Sequence, residues 1–389
     1  MKEKIQLVKD TIERDDIDAL IEWLKTYPRL TKGDLTVEYE KKWSEWLGVK
    51  HTVFVNSGSS ALLMMLQAIK EKEELRNNKI VIPQIAWSTD LSSAMILDYE
   101  PILCDINMEN LSVSIEDLDT IFIKHKPAAL MLVSVLGLSP YMDDIIDLCE
   151  QHGVILLEDV CESQGTKFGD KKLGTFGKMS AFSTYFGHSM STIEGGMVCT
   201  DDDEYYNLLL QLRSHGWDRD LDQESQMDLR DEWQVDNFNA LYTFYVPSFN
   251  LRATDLQAFI GLRQLDKIDN WLKHRHVNFN YMKTAIKEMG LWIPEPTIDS
   301  WTASFCYPLI LPTNEQRERV IKALIAEGIE CRPLISGSMG TQPMYIKEYG
   351  ELSTPNALEI DNRGIYIPNH PKLSITEITR MLETIKKAL

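Results

Sequence analysis

The sequence predicts an α/β protein, with a mixed, mostly parallel sheet flanked by helices and a second, smaller domain. Short apolar runs are near-continuous, as in parallel strands that are covered on both faces. These runs span residues 51–55, 80–83, 101–105, 128–135 and 154–159. Amphipathic stretches such as 61–70 and 143–152 alternate with them, as helices between strands would. At 389 residues the chain exceeds the usual size of one core, which favours two domains.

The pattern changes after Arg252. We expect a helix over 255–272 with a charged continuation, a strand near 305–311, a helix over 314–327 and a terminal helix over 375–387. The sequence therefore predicts a large domain over residues 1–252, with an N-terminal helical segment, and a small α+β domain over 253–389.

Charge and cysteine usage exclude several classes of function. The formal net charge of -19 disfavours binding to nucleic acid or to an anionic membrane surface. The six cysteines are scattered without metal-ligand spacing, as expected of reduced thiols and not of a disulfide framework, zinc site or iron-sulfur cluster. No apolar run approaches the ~18 residues of a membrane span, and residues 1–4 lack a signal peptide's apolar character. We expect a cytoplasmic protein without a metal.

Small residues between the first strand and the following helix form a candidate anion site. Ser57, Gly58 and Ser59 let backbone N–H groups approach an anion, and the helix N-terminus adds the positive end of its dipole. The same residues also serve as ordinary helix caps. The segment has neither a dinucleotide-binding glycine pattern nor a Walker loop.

Two further residues follow strand ends. Asp159 ends a strand too apolar to bury a bare carboxylate, so it should face a cation, either a bound ligand or an arginine, or cap a helix. Trp87 follows the strand over 80–83 and could either stack on a planar ligand or be buried in the core.

The segment from Ser183 to Gly196, STYFGHSMSTIEGG, carries the sharpest signal. It resembles the cofactor-lysine segment of the DegT/DnrJ/EryC1/StrS sugar aminotransferases. In that family a lysine normally stands six residues before Glu-Gly-Gly and holds pyridoxal phosphate (PLP) as a Schiff base. Here His188 occupies that position. Histidine cannot form this bond but can move protons near neutral pH.

The resemblance implies a fold and a set of site residues. The fold would be that of the PLP-dependent aspartate aminotransferases (fold type I). Ser57, Gly58, Ser59 and Ser183 would hold the phosphate, Asp159 the pyridine nitrogen, Trp87 the ring face and Glu162 the region of the ring hydroxyl. Asn250 would reach the phosphate of a neighbouring subunit, which makes a homodimer the minimal active unit. His215, Arg219, Glu330 and Arg332 would bind the substrate.

The activity implied is that of the family's histidine-bearing 3-dehydratases. L-glutamate would convert PLP to pyridoxamine phosphate (PMP), and a GDP-4-keto-6-deoxy sugar would lose its C3 hydroxyl with His188 as acid and base. Related histidine enzymes with an iron-sulfur cluster need clustered cysteines, which the chain lacks.

An atypical aminotransferase with His215 as the base remains an alternative, as does a catalytically silent PLP-binding or regulatory homologue. His188 could also be a structural residue or an engineered change. The sequence leaves the sugar open between hexose and heptose.

Overall fold

The computed structural model describes residues 3–72, 75–295, 297 and 300–389. Its helices are α1 Arg14–Leu24, α2 Asp34–Leu47, α3 Gly58–Lys72, α4 Ser88–Ile96, α5 Ile115–His125, α6 Met142–His152, α7 Asp203–Arg213, α8 Gln223–Glu232, α9 Asp255–Leu265, α10 Ile268–Glu288, α11 Asn314–Ala326, α12 Pro343–Tyr349, α13 Pro355–Arg363 and α14 Ile375–Ala388. Its strands are β1 His51–Val55, β2 Lys79–Pro83, β3 Glu100–Cys104, β4 Ala129–Val133, β5 Ile155–Asp159, β6 Lys167–Phe168, β7 Lys171–Lys172, β8 Met179–Ser183, β9 Gly196–Thr200, β10 Ser300–Trp301, β11 Cys306–Ile310, β12 Arg332–Pro333 and β13 Gly364–Pro368.

A seven-stranded sheet forms the centre of the molecule, in the order β1-β9-β8-β5-β4-β2-β3. Strand β9 is antiparallel to both of its neighbours, whereas the pairs from β8 to β3 are parallel. Almost every residue of β4, β5, β8 and β9 is buried, which matches their near-continuous apolar sequences. The predicted mixed, mostly parallel sheet is confirmed.

A second sheet lies in the C-terminal part of the chain. Strands β11, β13 and β12 pair antiparallel, and α11 packs against α14 beside them. Ile5 pairs with Ile329, so the N-terminal segment joins this part of the fold. The division into domains 1–252 and 253–389 stays a prediction.

The helix expected over 255–272 is interrupted, because α9 ends at Leu265 and α10 begins at Ile268. The backbone N–H of Lys267 donates to Gln264 O, one residue closer than an α-helical bond would reach. The Lys267 ammonium contacts Asp15 and Asp16 of α1 at 2.9 and 3.0 Å. A turn tied to α1 therefore separates the two helices.

Across the described ranges, no helix is both long enough and apolar enough to cross a lipid bilayer. Those residues also contain no group of three or more His, Cys, Asp or Glu side chains arranged to hold a metal ion. All six cysteines are free thiols.

Candidate active site

A cavity of about 650 Å³ opens where β1, β4, β5 and β8 reach their carboxyl ends. This is the edge at which α/β sheets ordinarily bind ligands. Its wall contains most of the predicted site residues, namely Ser57, Gly58, Ser59, Trp87, Asp159, Glu162, Ser183, His188, Glu330 and Arg332. The fold thus brings together side chains from segments more than 270 residues apart in the sequence.

The turn before α3 forms a narrow cradle on this wall. Backbone N–H groups in the first turn of a helix have no intrahelical acceptor, and Ser57, Gly58 and Ser59 at the start of α3 line the cavity. A Cβ added at Gly58 would lie 2.6 Å from Ser183 Cβ, and one at Gly196 would lie 2.6 Å from Gly58 N. The second glycine of Glu-Gly-Gly is therefore required so that β9 can pack against the turn before α3.

Asp159 lies at the end of β5 and is 4% exposed. Its Oδ1 accepts the backbone N–H of Cys161 at 2.9 Å. Among the described residues no lysine or arginine pairs with its carboxylate, so the arginine expected as one alternative is not found there. The cation that a buried carboxylate needs can be supplied by the protonated nitrogen of a pyridine ring.

Asp90 is a site residue that the sequence interpretation missed. It is fully buried, and burial together with the charge of Asp159 raises its pKa well above the usual range. Asp90 is therefore the protonated member of a carboxyl pair and can donate a hydrogen bond to Asp159. In the sequence, Asp90 stands three residues after Trp87, which is the spacing of a helix-capping pair. This spacing could have indicated that Asp90 lies close to Trp87.

Trp87 is 55% exposed, so it is not the core residue that one reading of the sequence allowed. Its backbone N–H donates to Asp90 Oδ2 at 3.0 Å, which fixes the start of α4. Its indole lines the cavity that also contains Asp159. An exposed indole beside a buried carboxylate fits a planar, cationic aromatic ligand.

Glu162 reaches the cavity from the loop after β5. Its Oε2 accepts the backbone N–H of Leu136 at 3.0 Å. Leu136 has a φ of 51°, a left-handed conformation that is costly for a leucine and directs its N–H toward this carboxyl group. Burial raises the pKa of Glu162 to about 8, so the side chain is largely protonated at neutral pH and can donate a hydrogen bond to a ligand.

His188 lies in the connection between β8 and β9. Its Nδ1 is 3.2 Å from Ser183 O, and because a carbonyl only accepts, Nδ1 carries the proton. The rings of Tyr185 and Phe305 meet the imidazole edge-on at 6.0 and 5.4 Å between centroids. The remaining nitrogen, Nε2, is left with a free lone pair in a side chain that lines the cavity.

Burial is the main cause that lowers the pKa of His188 to about 4; the Ser183 carbonyl opposes it, and the nearby Arg275 guanidinium adds to it. The imidazole is therefore neutral at physiological pH, the form that a general base requires. Within the part of the chain that the structure describes, no lysine lines the cavity.

Glu330 and Arg332 come from the C-terminal part of the chain. They differ in whether their side chains are free to bind a ligand. Glu330 accepts the backbone N–H of Leu7 at 2.9 Å and contacts the Lys4 ammonium at 2.6 Å, so it fastens the N-terminal segment over the cavity. Arg332 is exposed and donates only to Cys331 O among the described residues. Its guanidinium is available for an anionic ligand.

His215, Arg219 and Asn250 lie outside this cavity. They cluster around Trp217: the Arg219 guanidinium lies 3.9 Å from its ring centroid, and the His215 ring lies 5.0 Å from it. Asn250 is exposed and is joined to this cluster by its bridge to Ser214. Large apolar side chains are exposed nearby, including Phe238, Tyr242, Phe244 and Phe249.

The cavity fits PLP in three separate respects. It contains the turn at the start of α3 for a phosphate, a buried carboxylate with no cation partner among the described residues, and an exposed indole. None of its described wall residues is a lysine that could anchor the cofactor covalently. Histidine at that point permits proton transfer but no covalent attachment.

Comparison with known proteins agrees with this description. The model of the DegT/DnrJ/EryC1/StrS aminotransferase family matches residues 10–386. GDP-4-keto-6-deoxy-D-mannose 3-dehydratase from Yersinia pseudotuberculosis is 32% identical over 375 residues, covering 92% of each chain.

Solved structures show the same relationship. The Escherichia coli GDP-4-keto-6-deoxy-D-mannose-3-dehydratase with bound hydrated PLP superposes with a TM-score of 0.91 at 28% identity, covering 99% of this chain and all of that one. A GDP-4-keto-6-deoxymannose-3-dehydratase with a trapped PLP-glutamate geminal diamine gives a TM-score of 0.90 at 28% identity, covering 98% of this chain and all of the other. The predicted fold type is confirmed, and the chain belongs to the DegT/DnrJ/EryC1/StrS aminotransferase family.

Proposed function

We propose that the protein is a PLP-dependent 3-dehydratase of GDP-4-keto-6-deoxy sugars, with L-glutamate as the amine donor. One observation carries the proposal: a cavity that fits the cofactor presents His188, and no lysine, among its described wall residues. The related 3-dehydratases support the GDP-linked substrate, and the glutamate adduct of one of them supports the amine donor.

The residues of the chain divide the work of binding the cofactor. The Ser57–Gly58–Ser59 turn and Ser183 hold the phosphate, Asp159 pairs with the ring nitrogen, and Trp87 covers one ring face. Protonated Glu162 donates a hydrogen bond toward the ring hydroxyl. When bound, PMP supplies an amine for the substrate ketone and a ring that withdraws electrons from it.

His188 moves the proton. Its Nε2 has no protein partner among the described residues and would take a proton from the methylene carbon that bears the cofactor's amine, while Nδ1–H stays on Ser183 O. The resulting imidazolium is a strong acid in this buried position, because burial holds its pKa near 4. It therefore returns the proton readily to the departing C3 hydroxyl, which leaves as water. A lysine would also recapture the cofactor, a step that histidine does not permit.

The active unit in this proposal is a homodimer. The cluster of His215, Arg219 and Asn250 is outside the cavity of its own chain and is surrounded by exposed aromatic side chains. Exposed apolar patches of this kind are typical of protein interfaces. We infer that a partner subunit places this cluster over the cavity, so that Asn250 reaches the phosphate and His215 and Arg219 reach the sugar nucleotide.

The proposal is tested by incubating the protein with PLP, L-glutamate and GDP-4-keto-6-deoxymannose and analysing the products by mass spectrometry. A product that has lost one oxygen atom, with hydrogen in place of the C3 hydroxyl and its C4 ketone kept, supports the dehydratase. A 4-amino sugar that keeps its C3 hydroxyl would instead establish the aminotransferase. If PLP and glutamate cause no spectral change to PMP, the protein is a silent homologue.

A further inference from the structure

Arg275 lies behind His188 on α10 and is 1% exposed. Its Nη1 donates to Phe305 O and Asn369 O, both at 2.6 Å, and its Nη2 donates to His188 O at 3.2 Å. Among the described residues no carboxylate forms an ion pair with it. Arg275 is thus a buried cation held only by main-chain carbonyls.

Such an arrangement is costly. A buried charge loses favourable hydration, and a paired carboxylate usually offsets part of that loss. Arg275 also lies on the apolar face of α10, between Leu272 and Phe279, where a methionine or leucine would pack without this penalty. Its Nε has no hydrogen-bond partner among the residues that the structure describes. Packing alone does not account for an arginine at this point.

The guanidinium of Arg275 contacts His188 itself and a residue that packs against its ring. It binds the main-chain carbonyl of His188, and it binds the carbonyl of Phe305, whose ring lies 5.4 Å from the imidazole. Through Asn369, which follows β13, it also fastens both to the C-terminal sheet. A single side chain therefore sets the position of the His188 main chain and of the ring that packs against it.

We propose that Arg275 is the positioning residue of His188: it fixes the histidine main chain against the C-terminal sheet, and its uncompensated charge opposes a second positive charge on the imidazole. The inference rests on the proposed acid–base function of His188. The charge favours the neutral base before reaction and makes the imidazolium a better donor after it has taken a proton.

Other titratable groups share the cavity with the imidazole or lie close to Arg275. Asp159, Glu162, Glu194, Glu330, Arg332, Tyr185 and Tyr366 line the same cavity, and His370 and Cys306 interact with the Arg275 charge. Arg332 is a second cation near His188. Because Arg332 is exposed to solvent and Arg275 is buried, solvent screens the electrostatic effect of Arg332 on the imidazole more strongly than that of Arg275.

The test compares Arg275→Met, which removes the charge, with Arg275→Lys, which keeps it. Protein free of cofactor is labelled with ¹⁵N-histidine, and His188→Asn identifies the His188 signal in the NMR titration. We expect His188 to titrate about half a pH unit or more higher in Arg275→Met than in the wild type. Arg275→Lys should leave the titration near its wild-type position.

Turnover gives the second measurement. If the His188 main chain is displaced, kcat should fall at least about tenfold in Arg275→Met with a smaller change in KM, and Arg275→Lys should recover part of that loss. Thermal unfolding and circular dichroism identify folded variants, and Arg275→Gln replaces Arg275→Met if the latter does not fold. An unchanged His188 titration in the folded neutral variant, or equal shifts in the neutral and lysine variants, would overturn the proposal.

The titration is independent of the proposed reaction. Because it is recorded without cofactor or substrate, it reports the effect of Arg275 even if dehydration is not observed. Absence of dehydration with a shifted titration would reject the proposed function alone, whereas dehydration with an unshifted titration would reject the inference about Arg275 alone.

Discussion

The Nδ1 atom of His188 lies 3.2 Å from the carbonyl oxygen of Ser183, the last residue of β8. This bond fixes the tautomer and leaves Nε2 to exchange protons with a ligand. The same strand end places the Ser183 side chain against Gly58 in the turn before α3. One residue thus contacts both His188 and the turn that we propose for the phosphate.

The cofactor should not be attached covalently. No lysine lines the cavity within the described ranges, so treatment of the PLP-loaded protein with borohydride should leave its intact mass unchanged. His188→Lys is the matched comparison and should gain a pyridoxyl adduct. An adduct on the wild-type protein would contradict the assignment of His188 to the anchor position.

Replacement of Glu162 by glutamine should change how stability depends on pH. Glu162 has a pKa of about 8 in the fold and a usual value of 4.5. The unfolded chain therefore loses this proton first, and stability decreases as pH rises from about 4.5 to about 8. Glutamine keeps an acceptor for the Leu136 N–H and does not titrate.

Urea unfolding of the cofactor-free protein across that range measures the difference between the two proteins. Glu162→Gln should gain stability relative to the wild type as pH rises, by up to a few kcal/mol. A difference that stays constant between pH 4.5 and 8 would show that Glu162 titrates normally.

Gly196→Ala should weaken cofactor binding. The added Cβ would lie 2.6 Å from Gly58 N and would displace the phosphate cradle, so we expect at least about a tenfold increase in the Kd for PLP. Gly48→Ala is the control, because this exposed residue with a φ of 95° is remote from the cavity. It should lower stability without changing PLP affinity, and equal effects of both variants on affinity would contradict the packing argument.

A complementation experiment tests the shared site. If Asn250 serves the cavity of the partner subunit, a hybrid of His188→Asn and Asn250→Asp subunits contains one site with both defects and one intact site. Mixing the two inactive variants after subunit exchange should therefore restore activity, up to about half of the wild-type value per hybrid dimer. No recovery in hybrids that form would place Asn250 and His188 in the same chain's site.

The sequence predicted the elements that repeat simple patterns. Strand β1 begins and ends as predicted, and β2, β3 and β5 lie within one residue of the predicted bounds, because the buried strands of a central sheet are short apolar runs. Strands β8 and β9 were not predicted as strands. The helix break at Lys267 depends on its contacts with Asp15 and Asp16, which are more than 250 residues away in the chain.

Site residues that lie in a sequence motif could be predicted, whereas residues that only the fold brings to the site could not. His188, Asp159 and the Ser57–Ser59 turn lie in recognisable segments, and the structure places them on one cavity. Asp90 and Arg275 were missed because their function comes from burial beside other groups. Arg275 did leave one signal, a cation in the apolar stripe of α10.

The central claim is that His188 moves the proton in an elimination of water. It is tested by product analysis of the wild-type protein and of His188→Asn, which keeps similar size and polarity, in water enriched in deuterium and heavy oxygen. The wild type should give a 4-keto sugar without the C3 hydroxyl, with deuterium at C3, heavy oxygen at the C4 carbonyl and one ammonia per turnover. His188→Asn should bind PLP but lose about 10²-fold or more of this activity. A 4-amino sugar that retains its C3 hydroxyl, or undiminished dehydration by His188→Asn, would contradict the account.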